Sequence, residues 1–177
     1  MKHKRRAQAE LYHRFSYMMN GICLRYSSDE DEAKDLLQES FIKVFKNLEK
    51  FSGDGPLGAW MRRIAVNTSL ENYRKKHAVR TLDLVYEDGD ETYIDEDEIF
   101  HEMDVEVLMN KIQKLPMGFK TVFNLHAIEG YNHAEIAEML NISTGTSKSQ
   151  YSRARVILKK MILEDSVRTQ KMLRYGE

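Results

Sequence analysis

The chain has 177 residues, 42% of them hydrophobic, with 27 Lys and Arg set against 28 Asp and Glu for a formal net charge of −1. That length suits one ordinary domain or two small ones. The single cysteine, Cys23, excludes an internal disulfide, and no apolar run approaches the ~20 residues that span a bilayer, which argues against membrane insertion by the chain itself.

The basic start, Met1-Lys2-His3-Lys4-Arg5-Arg6, is not followed by an apolar signal core, so a cytoplasmic protein is expected. Leu, Met, Glu, Lys, Ala and Arg dominate, and the β-branched alternation of strands is missing. The expected fold class is all-α.

The first apolar-periodic stretch covers residues 8–26, where Leu11, Phe15, Met18, Met19 and Ile22 recur at helical spacing. Cys23 lies in this stretch and reads as a small buried hydrophobe. Ser27-Ser28-Asp29 breaks the helix and starts another, with Ser28 as the expected N-cap and Asp29 to Glu32 placed on the positive end of the helix dipole. Ala33, Leu37, Phe41, Val44, Phe45 and Leu48 form its apolar face. Ser52-Gly53-Asp54-Gly55-Pro56 is a strong stop. A third helix follows over residues 57–76, burying Leu57, Met61, Ile64, Ala65 and Thr68 and presenting Trp60, Arg63, Asn67 and Arg74 on its other side.

Residues 79–105 then hold eleven acidic side chains and one basic one, Arg80, so the rest of the chain carries 17 acids against 26 bases, a net of +9. A near-neutral protein is thus two basic pieces joined by an acidic linker, and basic pieces suit a polyanionic partner. Asp88-Gly89-Asp90 is not a convincing calcium loop, because its glycine and distal glutamate fall at the wrong positions.

Helices resume near Asp104, with Val105, Leu108, Met109, Ile112 and Leu115 on one face ending at Pro116. The next runs over residues 119–128 and closes at Glu129-Gly130. Asn132 and Glu135 spell a capping box for a short helix that ends at Leu140-Asn141. Ser143 caps a last long helix reaching at least Leu163, followed by a polar tail over 165–177.

Residues 132–160 read as a helix-turn-helix. Small Ala137 allows a close helix crossing, Asn141 can take the left-handed turn, and Ile142 plugs the angle. On the second helix Ser147, Tyr151, Ala154 and Leu158 share the buried side. Thr146, Ser149, Gln150 and Arg153 share the opposite one, where their side chains can pair with base edges in a major groove. Lys148, Arg155 and Lys159 flank them for phosphate.

These motifs together resemble sigma factors of the extracytoplasmic-function group, over residues 8–77 and 105–163. Asp31-Glu32-Ala33-Lys34-Asp35-Leu36-Leu37-Gln38-Glu39-Ser40-Phe41 is similar to the helix of region 2 that docks on core RNA polymerase. The resemblance implies that docking role for Asp35, Gln38, Glu39 and Ile42. Trp60-Met61-Arg62-Arg63-Ile64-Ala65-Val66-Asn67-Thr68 is similar to the stretch that reads the melted −10 element. The implied residues are Trp60, Arg62, Arg63, Asn67, Arg74 and Lys75: an aromatic ring to stack on an unpaired base, an amide to read it and cations to hold the backbone. The loop over 51–58 could cradle a flipped base.

Leu115-Pro116, Ile128-Glu129-Gly130-Tyr131 and Glu135-Ile136-Ala137 resemble region 4, whose recognition helix reads the −35 element. Thr144, Thr146, Lys148, Ser149, Gln150, Arg153 and Arg155 are the implied contacts. The chain departs from the family at Ser147, where an apolar residue, often valine, is usual.

Core RNA polymerase, promoter DNA and an anti-sigma factor are the implied partners, with no cofactor, no metal and no catalysis. The expected layout is a region 2-like domain over 8–78, an acidic flexible linker over 79–104, a region 4-like domain over 105–164, and the tail. Within the linker, residues 87–98 are expected to fold back on the basic faces of the free protein and lower non-specific DNA binding.

Two rival readings follow from the residues alone. A polymerase-independent DNA-binding regulator explains the helix-turn-helix but not a second basic domain carrying Trp60 and Asn67. A metal-dependent nuclease would need the acidic cluster held in a rigid frame. His126 and His133 have no ligand-like spacing and read as ordinary surface or packing residues.

Overall fold

A computed structural model describes residues 2–77 and 104–175, and the described residues form helices and turns only, grouped in two compact units on either side of residue 80. Most of the expected acidic linker, residues 79–103, lies outside the described residues, as does its proposed fold-back.

The first unit holds α1 (Lys2–Tyr26), α2 (Glu30–Asn47) and α3 (Leu57–His77), each packed on the other two. Met19, Ile22, Cys23 and Tyr26 of α1 meet Leu36, Phe41 and Val44 of α2 and Met61, Ala65, Val66 and Leu70 of α3 in the core. Full burial of the Met, Ile, Leu, Val and Phe side chains among them contributes about 1.5–3 kcal/mol each. The Cys23 thiol is buried as expected, and burial, against weaker opposing effects of Ser40 and Arg25, pushes it up to about 11.

Two boundaries differ from the sequence reading. α1 starts six residues earlier, at Lys2, because Lys, Arg, Ala, Gln and Glu continue the helix without a breaker. The cap of α2 is Asp29, not Ser28: the Asp29 carboxylate accepts the Glu32 N–H at 2.8 Å. Ser28 instead donates its backbone N–H to the Glu32 side chain at 2.9 Å. Between α2 and α3, a 3₁₀ turn over Leu48–Lys50 and the Gly53 turn, with φ of 83°, reverse the chain.

The second unit holds α4 (Val105–Gln113), α5 (Met117–Phe123), α6 (His133–Leu140) and α7 (Thr144–Tyr175). Its core gathers Ile112, Leu115, Phe119, Val122, Phe123, Leu125, Ile136, Leu140, Ala154 and Leu158. α5 begins at Met117, two residues before its expected start, since Pro116 needs no N–H where helix donors are orphaned. It then widens into a π turn over Asn124–Ile128, with the Glu129 N–H reaching the Asn124 carbonyl, and stops at Gly130 with φ of 80°. α7 continues to Tyr175 through the segment expected as a tail, because no Gly or Pro interrupts Leu, Lys, Met, Gln and Arg before Gly176.

Candidate nucleic-acid and polymerase interfaces

On α2 the spacing 35, 38, 39, 42 turns four side chains to one face. Asp35, Gln38 and Ile42 are exposed, and Ile42 shows 51% of its surface to solvent at the edge of an otherwise polar stripe. Glu39 is half-buried, with its carboxylate 3.0 Å from the Lys43 ammonium. Lys43 in turn donates to Glu71 of α3 at 2.8 Å. Burial works against the Lys43 charge, but the Glu71 and Glu39 carboxylates outweigh it and hold the ammonium above the usual lysine range.

On α3, Arg63, Asn67, Arg74 and Lys75 are exposed. Trp60 is half-buried, its ring 5.3 Å from Phe51, so the loop over 51–58 supplies a wall for the indole. Arg62 does not join them. Two residues on from Trp60, it turns to the far side of the helix, where it is half-buried and engaged within the protein. The core side of α3 is also wider than the expected five residues, since Val66, Ser69 and Leu70 are buried as well. Ser69 and Thr68 satisfy their hydroxyls on carbonyls one turn back, at 2.9 and 2.8 Å.

The helix-turn-helix of the second unit is built as its capping residues dictate. The Asn132 side chain accepts from the Ala134 and Glu135 N–H groups at 2.9 and 3.0 Å, and Glu135 accepts the Asn132 N–H at 2.8 Å. Asn141 takes the left-handed conformation, φ 55° and ψ 49°, and the Ile142 N–H returns to the Ala137 carbonyl at 3.0 Å. Ser143 caps α7 by accepting the Thr146 N–H at 2.9 Å.

Along α7, Thr144, Lys148 and Ser149 are exposed, and Thr146, Arg153 and Arg155 half-exposed. Arg155 lies 5.7 Å over the Tyr151 ring. Gln150 is half-exposed like Thr146 and Arg153, at the boundary between that stripe and the Ser147–Ala154 core line at 100° per residue, and its Oε1 is buried without a hydrogen-bond partner. Ser147 is fully buried as expected, but its hydroxyl bonds to Nδ1 of His133 at 3.0 Å rather than to a carbonyl one turn back. That bond joins the two helices, and the separate residues 133 and 147 gave no sequence signal for it.

Among the described residues, no three His, Cys, Asp or Glu side chains gather as a metal site would require, and no helix is long and apolar enough to cross a membrane.

Residues 11–79 match the Sigma-70 region 2 family and residues 106–158 match Sigma-70, region 4. An ECF RNA polymerase sigma-E factor of Haemophilus influenzae is 31% identical over 163 residues, spanning 86% of this chain and 85% of that one. The chain belongs to the extracytoplasmic-function group of RNA polymerase sigma factors. The sigma factor SigW of Bacillus subtilis, of the same group, is 30% identical over 154 residues, covering 80% and 81% of the two chains. Among solved structures, the sigma factor RpoE of Bartonella quintana, crystallised with the anti-sigma factor NepR, shares the fold with a TM-score of 0.50 at 22% identity, over 88% of this chain and 96% of that one. The two units of this sigma factor therefore carry regions 2 and 4 of a DNA-binding transcription initiation factor.

Proposed function

We propose that the chain directs core RNA polymerase to promoters with a fixed division of labour. α2 docks on polymerase through Asp35, Gln38, Glu39 and Ile42. α3 reads the melted −10 strand through Trp60, Arg63, Asn67, Arg74 and Lys75, with Arg62 holding the helix from behind rather than touching DNA. α7 reads the −35 duplex through Thr144, Thr146, Lys148, Ser149, Arg153 and Arg155, with Gln150 at the margin of that surface. The observation that carries this reading is the succession of regions 2 and 4 on one chain. Each presents polar and basic side chains opposite its core.

The factor itself catalyses nothing, because its contribution is binding energy spent on positioning polymerase and trapping melted DNA. It works in the cytoplasm, where core polymerase and promoter DNA are met. An anti-sigma protein is the expected antagonist, covering the polymerase-docking or DNA-reading faces.

Run-off transcription with core polymerase on a promoter library tests the reading. Promoter-dependent transcripts are expected with the wild type. Asp35→Ala combined with Gln38→Ala should lose core binding, whereas Arg153→Ala should keep core binding and lose −35 dependence. Absence of any promoter-dependent transcript with a competent core overturns the proposal.

A further inference from the structure

His126, in the π turn that closes α5, and His133, at the first position of α6, lie ring on ring, with centroids 4.3 Å apart and 19° between planes. Tyr151 of α7 closes a third side, edge-on to His126 at 4.5 Å and 5.7 Å from His133. Each imidazole is tied at Nδ1, His126 to the Tyr131 carbonyl at 2.8 Å and His133 to the Ser147 hydroxyl at 3.0 Å. Ser147 and Tyr151 stand one turn apart on the side of α7 that faces its own domain.

We propose that the His126–His133 pair positions the recognition helix, and seats it in its reading pose only while at most one of the two rings is protonated. This rests on the reading of α7 as the −35 helix. Ser147 is the link. It is fully buried on the core side of α7, so a directional bond to His133 takes the place of apolar packing at the start of the proposed DNA-reading surface.

The donor and acceptor chemistry gives the pair its sensitivity. The Tyr131 carbonyl can only accept, so Nδ1 of His126 carries its proton and the open site is Nε2. The Ser147 hydroxyl can donate to a neutral His133. Once His133 is protonated, Nδ1 must donate, and the hydroxyl has to turn towards another acceptor, such as the Ser143 carbonyl one turn back. A first proton can be taken at Nε2 of His126 with no bond broken. A second places two positive charges face to face in a partly buried site.

Among the ionisable groups near the pair, Lys148 on α7 opposes the charge of His133, and Arg155 lies over the Tyr151 ring that borders both imidazoles. Burial first, then the charges of His126 and Lys148, already pushes His133 below the ordinary histidine value. A histidine that binds its proton less readily in the seated state loses seating energy as pH falls. The loss begins near the ordinary value of 6.5 and is complete below the lowered one.

The test is an NMR titration of the intact chain, following the ring protons of both histidines and the amide protons of Ser147 and Tyr151. Two proton-binding steps at least about one pH unit apart are expected, a tenfold difference in proton affinity. Ser147 and Tyr151 should follow the more acidic step. His126→Phe keeps a flat ring in the stack without its charge, and should return His133 towards an ordinary single titration. In holoenzyme binding, the preference for a −35 duplex over a scrambled duplex should fall roughly tenfold from pH 7.5 to 5.5 in the wild type and stay level in His126→Phe. Independent, ordinary titration of the two rings, or a Ser147 signal that ignores the acidic step, overturns the proposal using the wild type alone. Because the resonance titration needs no DNA, it decides the proposal separately; loss of −35 preference at every pH would count against the reading of α7 instead.

Discussion

Lys43 on α2 donates to Glu71 on α3 at 2.8 Å while holding Glu39 at 3.0 Å, so one ammonium joins the proposed polymerase-docking face to the helix proposed to read the −10 strand. Glu71 lies four residues from Asn67 and three from Arg74, within reach of the proposed DNA path. Lys43→Ala removes the counter-charge that screens Glu71 from phosphate. Single-stranded −10 binding by holoenzyme should weaken several-fold at low salt and recover in Lys43→Ala/Glu71→Ala. The coupling to fold stability should be small, about 0.5 kcal/mol in a double-mutant cycle, because the pair is partly solvated. Equal DNA affinity in the single and double variants would remove Glu71 from the DNA path.

Glu32 gives the first unit an acid-sensitive joint. Its side chain is 11% exposed and takes the Ser28 N–H at 2.9 Å, the Lys76 ammonium at 2.9 Å and the Asn72 amide. Burial opposes its charge, but Lys76 and Ser28 outweigh burial and hold the carboxyl below the usual glutamate value. In the window between the two values the unfolded chain binds the extra proton, so stability must fall as pH drops below about 4.5 towards the lowered value. Thermal melts from pH 7 to 3 should show this loss in the wild type and a shallower one in Glu32→Gln, which starts from a lower melting temperature at neutral pH. Parallel curves for the two proteins would show that Glu32 is not the joint.

The helices and the helix-turn-helix were legible because their signals are local and redundant. Asn132 with Glu135, Asn141 and Ser143 each announce a specific backbone geometry, and each adopts it. What was not legible depends on partners distant in sequence. The cap choice between Ser28 and Asp29 turns on Glu32, whose side chain is also claimed by Asn72 and Lys76 of α3. Arg62 is one of the −10 residues that the resemblance implies, yet one residue of helix rotates it about 100° from Arg63, to a half-buried position. Gln150 keeps a half-exposed place at the edge of its stripe, but the burial of its Oε1 depends on the rest of its domain. The His126–His133 stack depends on a π turn, which no periodicity in residues 124–128 announces.

Asn141 is the one non-glycine residue at positive φ among the described residues, and it fixes the angle between α6 and α7. Asn141→Gly should be neutral or slightly stabilising, since glycine enters this conformation without a steric cost. Asn141→Val should cost about 1–2 kcal/mol, the penalty of forcing a side chain into the left-handed region. Urea denaturation of the three proteins orders them; a valine variant as stable as the wild type would mean that the turn relaxes without cost.

Trp60 packs beside Phe51 and is proposed to stack on an unpaired base as well. Trp60→Ala should lower the affinity of holoenzyme for a fork-junction −10 DNA by about 1–3 kcal/mol, the worth of one base stack, and Trp60→Phe should recover part of it. The melting temperature of the free factor separates the two roles. If Trp60→Ala destabilises the fold and leaves DNA affinity unchanged, the indole is a packing residue and the −10 reading falls to Arg63 and Asn67.

Ile42 offers the sharpest separation of fold from function in the first unit. It shows 51% of its surface on a helix whose other apolar positions are mostly covered, so little folding energy depends on it. A half-exposed apolar side chain ringed by Asp35, Gln38 and Glu39 has the form of an interface anchor with a polar rim. Ile42→Lys should leave the melting temperature within about 2 °C of the wild type, the range expected of surface changes within about 0.5 kcal/mol. It should nevertheless reduce core polymerase binding by at least 2 kcal/mol, roughly thirtyfold, since the interface would bury an unpaired ammonium in place of an apolar contact. Ile42→Leu keeps the apolar contact and should bind within a few-fold of the wild type. Unchanged core affinity for Ile42→Lys, measured by competition against the unmodified factor, would place the docking face elsewhere on the unit.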